Sequence, residues 1–342
     1  MKKNVAVVWG GYSSEIVISE KSAAGIYSFM DKEKYNVYKV KIDHTSWEVE
    51  ENSCFYPVDK NNFSFTGGNG RNIPFDFAYI TIHGTPGEDG TLQGYFDMLG
   101  VPYSNCGVLA SAMTFNKFTC NSFLKNFGIE VADSILLRKN DPCKTGEIIS
   151  ALGLPVFVKP NLGGSSFATT KVKESSQLEN AVEEAFREAP EVIIERFLQG
   201  TEVTCGCFET GKGITVLPLT EVVTSNEFFD FDAKYNGQVE EITPARLPEE
   251  TALAIRQETK RIYRLTGAKG IIRVDYILTG DRPVLLEVNT TPGMTATSFI
   301  PQQVNAAGLS MTEIITDIIE TELGVFNVMT NDNNKNSGSG RI

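Results

Sequence analysis

The chain has 342 residues, 41% of them apolar and 22% charged, enough to bury a full core in two or three packed units. Its formal charge of −12 argues against non-specific binding to nucleic acid or an anionic membrane, so an anionic substrate would need locally placed cations. No apolar run is long enough for a membrane span or a signal peptide, and six scattered cysteines form neither a disulfide framework nor a metal-type pair; the expected setting is a reducing cytoplasm.

In chain order, VAVVW reads as a short buried strand ending at Gly10–Gly11. A helical pattern follows from about Ser14 to Met30, then a strand NVYKVKI and later a strand DFAYITIHG running into glycine. This is the rhythm of βαβ units on a parallel sheet, a Rossmann-like unit over residues 1–108. Ligands gather where such strands end, which singles out the loops at 10–15 and 83–90. Residues 109–127 read as one helix with Lys117 inside it. LPVFVKPNLGGSSFATTKV reads as two β segments around a glycine–serine loop, SSQLENAVEEAFREA as a helix capped by Ser175 or Ser176, and EVIIERFLQGTEVTCGCF as strand, turn, strand. Residues 109–200 thus form a small α+β unit. A third unit, 201–326, opens with strands near 201–223. The polar, aromatic stretch 225–245 has no clean period and is expected to be a lid. A helix ending at Gly267, two strands KGIIRVDYIL and RPVLLEVN, and a final helix at about 310–324 complete it. Residues 327–342 are expected to be a disordered tail. The fold class is α/β and α+β.

The two late strands carry the first candidate site. As a hairpin, they place Asp275, Glu287 and Asn289 on one face with Arg273, and a mostly apolar set that includes Tyr276, Val284, Leu286 and Val288 on the other. A three-residue loop Gly280–Asp281–Arg282 sets Asp275 opposite Glu287 and Arg273 opposite Asn289, whereas a two-residue loop separates the carboxylates onto opposite faces. Three such oxygen ligands suit Mg²⁺; the same face also fits a solvent-exposed surface with an Arg–Glu cross-strand pair. The second candidate is VFVKPNLGGSSF. Lys159 supplies a cation, and Gly163–Gly164–Ser165–Ser166 let backbone N–H groups approach an anion, although a plain hairpin loop has the same composition. Downstream, VIIERFLQGTE offers backbone groups at Glu195–Leu198 to a purine edge, Phe197 to its ring and Glu202 to ribose hydroxyls.

VKPNLGGSS, IIERFLQGTE and RVDYIL…LLEVNTTPGMT, in that order, resemble the ATP-grasp superfamily. With GGYSSE, HGTPGEDGTLQG and DFDAKY, the chain most closely resembles the D-alanine–D-alanine ligases over roughly residues 3–325. The resemblance implies an ATP-grasp fold with an N-terminal Rossmann-like substrate domain (1–108), central (109–200) and C-terminal (201–326) ATP-grasp subdomains, and joining of two D-alanines through an acyl phosphate for peptidoglycan precursors. It implies ATP contacts at Lys117, Lys159, Ser165, Ser166, Glu195, Phe197, Leu198, Glu202 and the lid's Lys234. It implies two Mg²⁺ ions, or Mn²⁺ in their place, on Asp275, Glu287 and Asn289. Glu15, with Ser165 and Tyr235 as partners, matches the group that holds the amine of the first D-alanine, and His83 matches one near its carboxylate. Arg273 and the Gly293 N–H match donors to the tetrahedral intermediate, and Ser298 a contact to the second D-alanine. A homodimer with no nucleic-acid or membrane partner is implied. Ile16 and the loop ending SSFA depart from common family patterns. A D-alanine–D-lactate or D-alanine–D-serine ligase, another ATP-grasp carboxylate–amine ligase, and a nucleotide-binding protein without turnover are the alternatives; Tyr235 favours D-alanine as second substrate.

Overall fold

The structure is a computed structural model that describes residues 2–13, 15–164, 168–224 and 239–337. The first unit is a seven-stranded sheet of order β6-β5-β4-β3-β2-β1-β7. Its parallel heart is β1 (Lys3–Gly10), β2 (Tyr35–Ile42) and β7 (Phe77–Ile80). Helix α1 (Ile16–Phe29) makes the crossover. Beyond these expected parallel strands the sheet carries four antiparallel ones that were not anticipated, β3 (Trp47–Glu51), β4 (Cys54–Asp59), β5 (Ser64–Thr66) and β6 (Asn72–Pro74). They span three to six residues each, too short between polar turns to show a strand period.

Helix α2 (Thr91–Leu99) follows. The helix expected over 109–127 is in fact two, α3 (Val108–Phe115) and α4 (Lys117–Lys125). Asn116 breaks it: its backbone is extended, and its side chain accepts from the Thr119 N–H, so it caps α4 instead of continuing α3. Lys117 therefore starts a helix.

The central unit is a four-stranded sheet of order β10-β9-β11-β8, made of β8 (Ser134–Arg138), β9 (Val156–Pro160), β10 (Thr170–Val172) and β11 (Glu191–Arg196). Helices α5 (Thr145–Leu152) and α6 (Leu178–Glu188) pack on it. The cap before α6 is neither Ser175 nor Ser176; Glu174 and Gln177 form a reciprocal capping box around a single 3₁₀ turn.

The third unit is a five-stranded sheet of order β14-β13-β12-β15-β16, made of β12 (Thr201–Thr210), β13 (Gly213–Thr224), β14 (Val239–Ile242), β15 (Ile271–Thr279) and β16 (Arg282–Asn289). Helices α7 (Glu249–Thr266), α8 (Phe299–Ala306) and α9 (Met311–Ser337) cover it. The final helix passes the expected stop at 324 because no Pro, and no Gly after Gly324, interrupts it before Ser337. The expected disordered tail is thus helical over 327–337, and 338–342 lie outside the described residues. Of the expected lid, 225–238 also lie outside them. Among the described residues no helix is long and apolar enough to cross a membrane.

One apolar cluster joins the first and third units, running from Val5, Ile26 and Phe77 to Phe208, Ile300 and Ile315. The seam is tight at two glycines: a methyl group on Gly25 would sit 2.0 Å from the Met294 carbonyl oxygen, and one on Gly270 1.9 Å from that of Ser104. The central unit keeps a cluster of its own, built on Val156, Val158, Val192 and Ile194.

Candidate active-site cleft

The three units enclose a cleft of ≈ 980 Å³. Strand alternation decides what each sheet shows it. On β9 and β11, Val156, Val158, Val192 and Ile194 face the central core, while Phe157, Lys159 and Glu195, with Phe197 just past the end of β11, line the cleft. Lys159 pairs with Ile193 in the ladder, so Glu195 is its diagonal neighbour on the same face. Their side chains meet at 2.6 Å, both nearly out of solvent. Burial alone would lower the Lys159 pKa; Glu195 and Glu287 outweigh it and raise it. The Phe157 and Phe197 rings lie 5.8 Å apart, with Lys171 Nζ 3.9 Å above the Phe197 ring.

On the third sheet, Val203, Cys205, Val274 and Tyr276 face the core, and Glu202, Arg273, Asp275 and Ile277 line the cleft. Asp275 does lie opposite Glu287, and Arg273 opposite Asn289. The route differs from expectation. The turn has two residues, because Thr279 pairs with Arg282, and a β-bulge between Asp275 and Tyr276 takes up Leu286 and restores the register. Leu285, not Leu286, therefore packs in the core, and Leu286 turns to the cleft. The bulge follows from burial: without it, Glu287 would pair with Val274 on the core face beside Tyr276, and Val288 would be turned toward the cleft.

Asp275 is 5% exposed and densely bonded. Arg273 donates to both its oxygens at 2.8 Å, Thr204 Oγ1 to Oδ1 at 2.6 Å, and Asn289 Nδ2 to Oδ2 at 2.9 Å. In place of the Arg–Glu cross-strand pair of the alternative, solvent-exposed reading, Arg273 forms a same-strand fork to Asp275. Despite burial, the Arg273 pKa is raised, chiefly by Asp275. Its guanidinium also sits 5.4 Å from the Phe299 ring. Asn289 Nδ2 reaches Glu287 Oε1 at 3.4 Å, and Lys117 Nζ stands 3.6 Å from Glu287 Oε2 while donating to the Gly163 carbonyl. Rotating the Asn289 amide by half a turn exchanges its NH₂ for an oxygen between the two carboxylates. The cluster then offers three converging oxygens, so the donor set fits a hard divalent cation.

The other end of the cleft comes from the first unit. Glu15 precedes α1, yet its side chain makes no cap bond. It is 5% exposed and lines the cleft beside Gly164, where a methyl group would lie 3.1 Å from Oε1. Ser22 Oγ lies 3.0 Å from His83 Nε2 and 3.4 Å from the Met294 N–H, gathering α1, the 83–90 loop and the NTTPGMT turn. Burial, helped by Arg273, lowers the His83 pKa to about 4, so the ring is neutral at pH 7. Gly293 lies against Ser298, whose hydroxyl bonds Thr295 at the start of α8. Leu198 and Glu202 line the cleft near Phe197. Ser165, Ser166, Lys234 and Tyr235 lie outside the described residues.

The sequence reading missed Thr204 and Glu88. Glu88 lies in the quoted HGTPGEDG block and accepts the Gly84 N–H at 2.7 Å. Burial first, then Glu15 and Glu287, raise its pKa to about 8, against the Gly84 N–H and Lys117. The folded state therefore holds a proton that the unfolded chain releases near its ordinary value of 4.5. That stability is present at low pH and lost as pH rises through about 8. Glu88→Gln, a neutral mimic, is expected to show a smaller fall in Tm between pH 6 and 9 than the parent. Equal slopes in thermal melts across that range would contradict the assignment.

Sheet, glycine loop and paired lysines around one cleft define the class: this is an ATP-grasp fold. The D-ala D-ala ligase N-terminus family matches residues 4–106, and the D-ala D-ala ligase C-terminus family residues 123–320. The chain belongs to the D-alanine–D-alanine ligase family. A relative from Parabacteroides distasonis named D-alanine--D-alanine ligase is 63% identical over 325 residues, 94% of this chain and 98% of that protein. The VanG D-Ala:D-Ser ligase structure from Enterococcus faecalis superposes with TM-score 0.84 at 31% identity, covering 94% of this chain and 100% of that one. The Bacillus anthracis D-alanine--D-alanine ligase complexed with ATP gives 0.76 at 29% identity over 96% and 99%.

Proposed function

We propose that the protein joins two D-alanine molecules to D-alanyl-D-alanine with cleavage of ATP to ADP and phosphate, as a step toward peptidoglycan precursors. The observation that carries this reading is the cleft in which Asp275 and Glu287 share a face and Lys117 and Lys159 stand opposite. Phe157 and Phe197 suit the purine, and Glu202 the ribose. Lys117, Lys159 and the glycine loop offset phosphate charge. Asp275, Glu287 and Asn289 would hold Mg²⁺, which when bound neutralises charge on the transferring phosphoryl group.

Glu15 holds the ammonium of the first D-alanine, with neutral His83 beside its carboxylate. That carboxylate takes the γ-phosphoryl group, ADP leaves, and the resulting acyl phosphate is attacked by the amine of the second D-alanine. Arg273 and the Gly293 N–H stabilise the oxyanion before phosphate departs. The N-terminus of α8 at Ser298 suits the second carboxylate. The role expected of Ser165, Ser166, Lys234 and Tyr235, keeping water from the acyl phosphate, falls on residues outside the described ones. A cytoplasmic location fits this reading, since ATP is an intracellular substrate, and a homodimer is proposed from the family resemblance alone.

The test is phosphate release from ATP and Mg²⁺ with D-alanine alone, and with D-alanine plus D-lactate or D-serine. The expected product is D-alanyl-D-alanine. Preferential consumption of D-lactate or D-serine at neutral pH would assign the depsipeptide or mixed-dipeptide reaction instead. No turnover with any of these, alongside tight nucleotide binding, would leave a binding protein.

A further inference from the structure

We infer that Asn161 is a positioning residue that locks the root of the glycine loop to the start of α4, and so sets Lys117 against the nucleotide phosphates. This rests on the proposed nucleotide site. Asn161 directly follows β9, is 0% exposed, and is bonded on all sides. Its carbonyl oxygen accepts the Lys117 N–H at 3.1 Å, and its Oδ1 the Phe118 N–H at 2.8 Å. Asn116 Oδ1 takes the next N–H, from Thr119, at 2.9 Å. The first three donors of α4, which a helix cannot satisfy internally, are thus met, two of them by Asn161 at the end of β9.

Glu191 completes the clamp. Asn161 Nδ2 donates to its Oε2 at 2.8 Å, Asn116 Nδ2 to the same oxygen at 3.3 Å, and the Asn161 N–H to the Glu191 carbonyl at 2.9 Å. Arg138 Nε holds Oε1 at 3.1 Å. A carboxylate beside a helix N-terminus is also favoured by the helix dipole. Lys117, first residue of that helix, reaches both Gly163 in the loop and Glu287 in the metal-type cluster. One amide therefore fixes two phosphate-facing elements relative to each other.

The polarity of the Asn161–Glu191 bond supplies the test. Asn161→Asp keeps the acceptor for Phe118 but sets two carboxylates face to face. Glu191→Gln keeps an acceptor for Asn161. The two together recreate the bond with donor and acceptor exchanged. Kd for ATP, measured by calorimetry with Mg²⁺ and no D-alanine, is expected to rise about tenfold in Asn161→Asp, the size of one lost buried hydrogen bond. It is expected to stay within about threefold of the parent in Glu191→Gln and in the double variant. Unchanged Kd in Asn161→Asp, even with a lowered Tm, would make the residue structural only and overturn the inference, as would a double variant no better than the single one. Should Asn161→Asp fail to fold, Glu191→Ala takes its place: a Kd raised threefold or more supports the clamp, and an unchanged Kd overturns it. If the parent itself binds no ATP, it is the nucleotide-site reading that fails.

Discussion

Arg273→Lys is expected to fold like the parent and lose about 10²–10³-fold in D-alanine-dependent phosphate release. The reason is geometric. Arg273 uses two nitrogens to hold Asp275 at 2.8 Å each, and the planar fork fixes its orientation toward the reacting carbonyl. A lysine restores the charge but not the fork. Arg273→Ala adds a second effect. Asp275, 5% exposed, then keeps only Thr204 and Asn289 as partners, and a buried charge stripped of its ion-pair partner costs about 3–5 kcal/mol. Pairing Arg273→Ala with Asp275→Asn is expected to recover much of the lost Tm and none of the activity. Turnover near that of the parent in Arg273→Lys would remove Arg273 from the reacting centre.

Glu287→Gln is the second large expectation, a fall in turnover on the order of 10³-fold with little change in Tm. Glutamine keeps the side chain's size and an oxygen for Asn289, but it removes the charge that faces Lys117 at 3.6 Å and one of only two carboxylates in the three-oxygen cluster. Glu287 is less enclosed than Asp275, and its ion partner Lys117 keeps the Gly163 carbonyl as an acceptor when Glu287 is neutralised. Stopped-flow phosphate release together with thermal melts separates the two outcomes. A variant that retains a tenth or more of parental turnover would show that Asp275 and Asn289 suffice.

The cleft was largely legible in the sequence because its parts lie in short, ordered motifs: Lys159 at a strand end, glycines just after it, and Asp275, Glu287 and Asn289 at strand-alternating positions. The register of Asp275 and Glu287 was anticipated through a longer turn than the chain uses. A bulge is invisible to residue counting, since it is chosen by which side chains can be buried and not by the turn. Thr204 lies 71 residues from its partner Asp275, and the Asn161 clamp joins residues 43 positions apart; nothing local marks either. The break between α3 and α4 was readable, because Asn before a lysine-led segment is a cap signal, but the apolar pattern across it looked continuous. The short antiparallel strands β3 to β6 left no periodic trace.

The distribution of apolar cores also fixes how the cleft can move. The first and third sheets share one cluster and meet backbone to backbone at Gly25 and Gly270, so they form a single anvil. The central sheet has a cluster to itself and is tied to the rest by two chain crossings, after α4 and after β11, and by the polar grip on α4. It is the jaw. Opening it would cost few apolar contacts and would work against the grip at Asn161, beside the lysine that would face phosphate. A nucleotide held between jaw and anvil would therefore close the cleft by its own binding, while the pocket around Glu15 and His83 stays on the anvil and keeps most of its shape whether the jaw is open or shut.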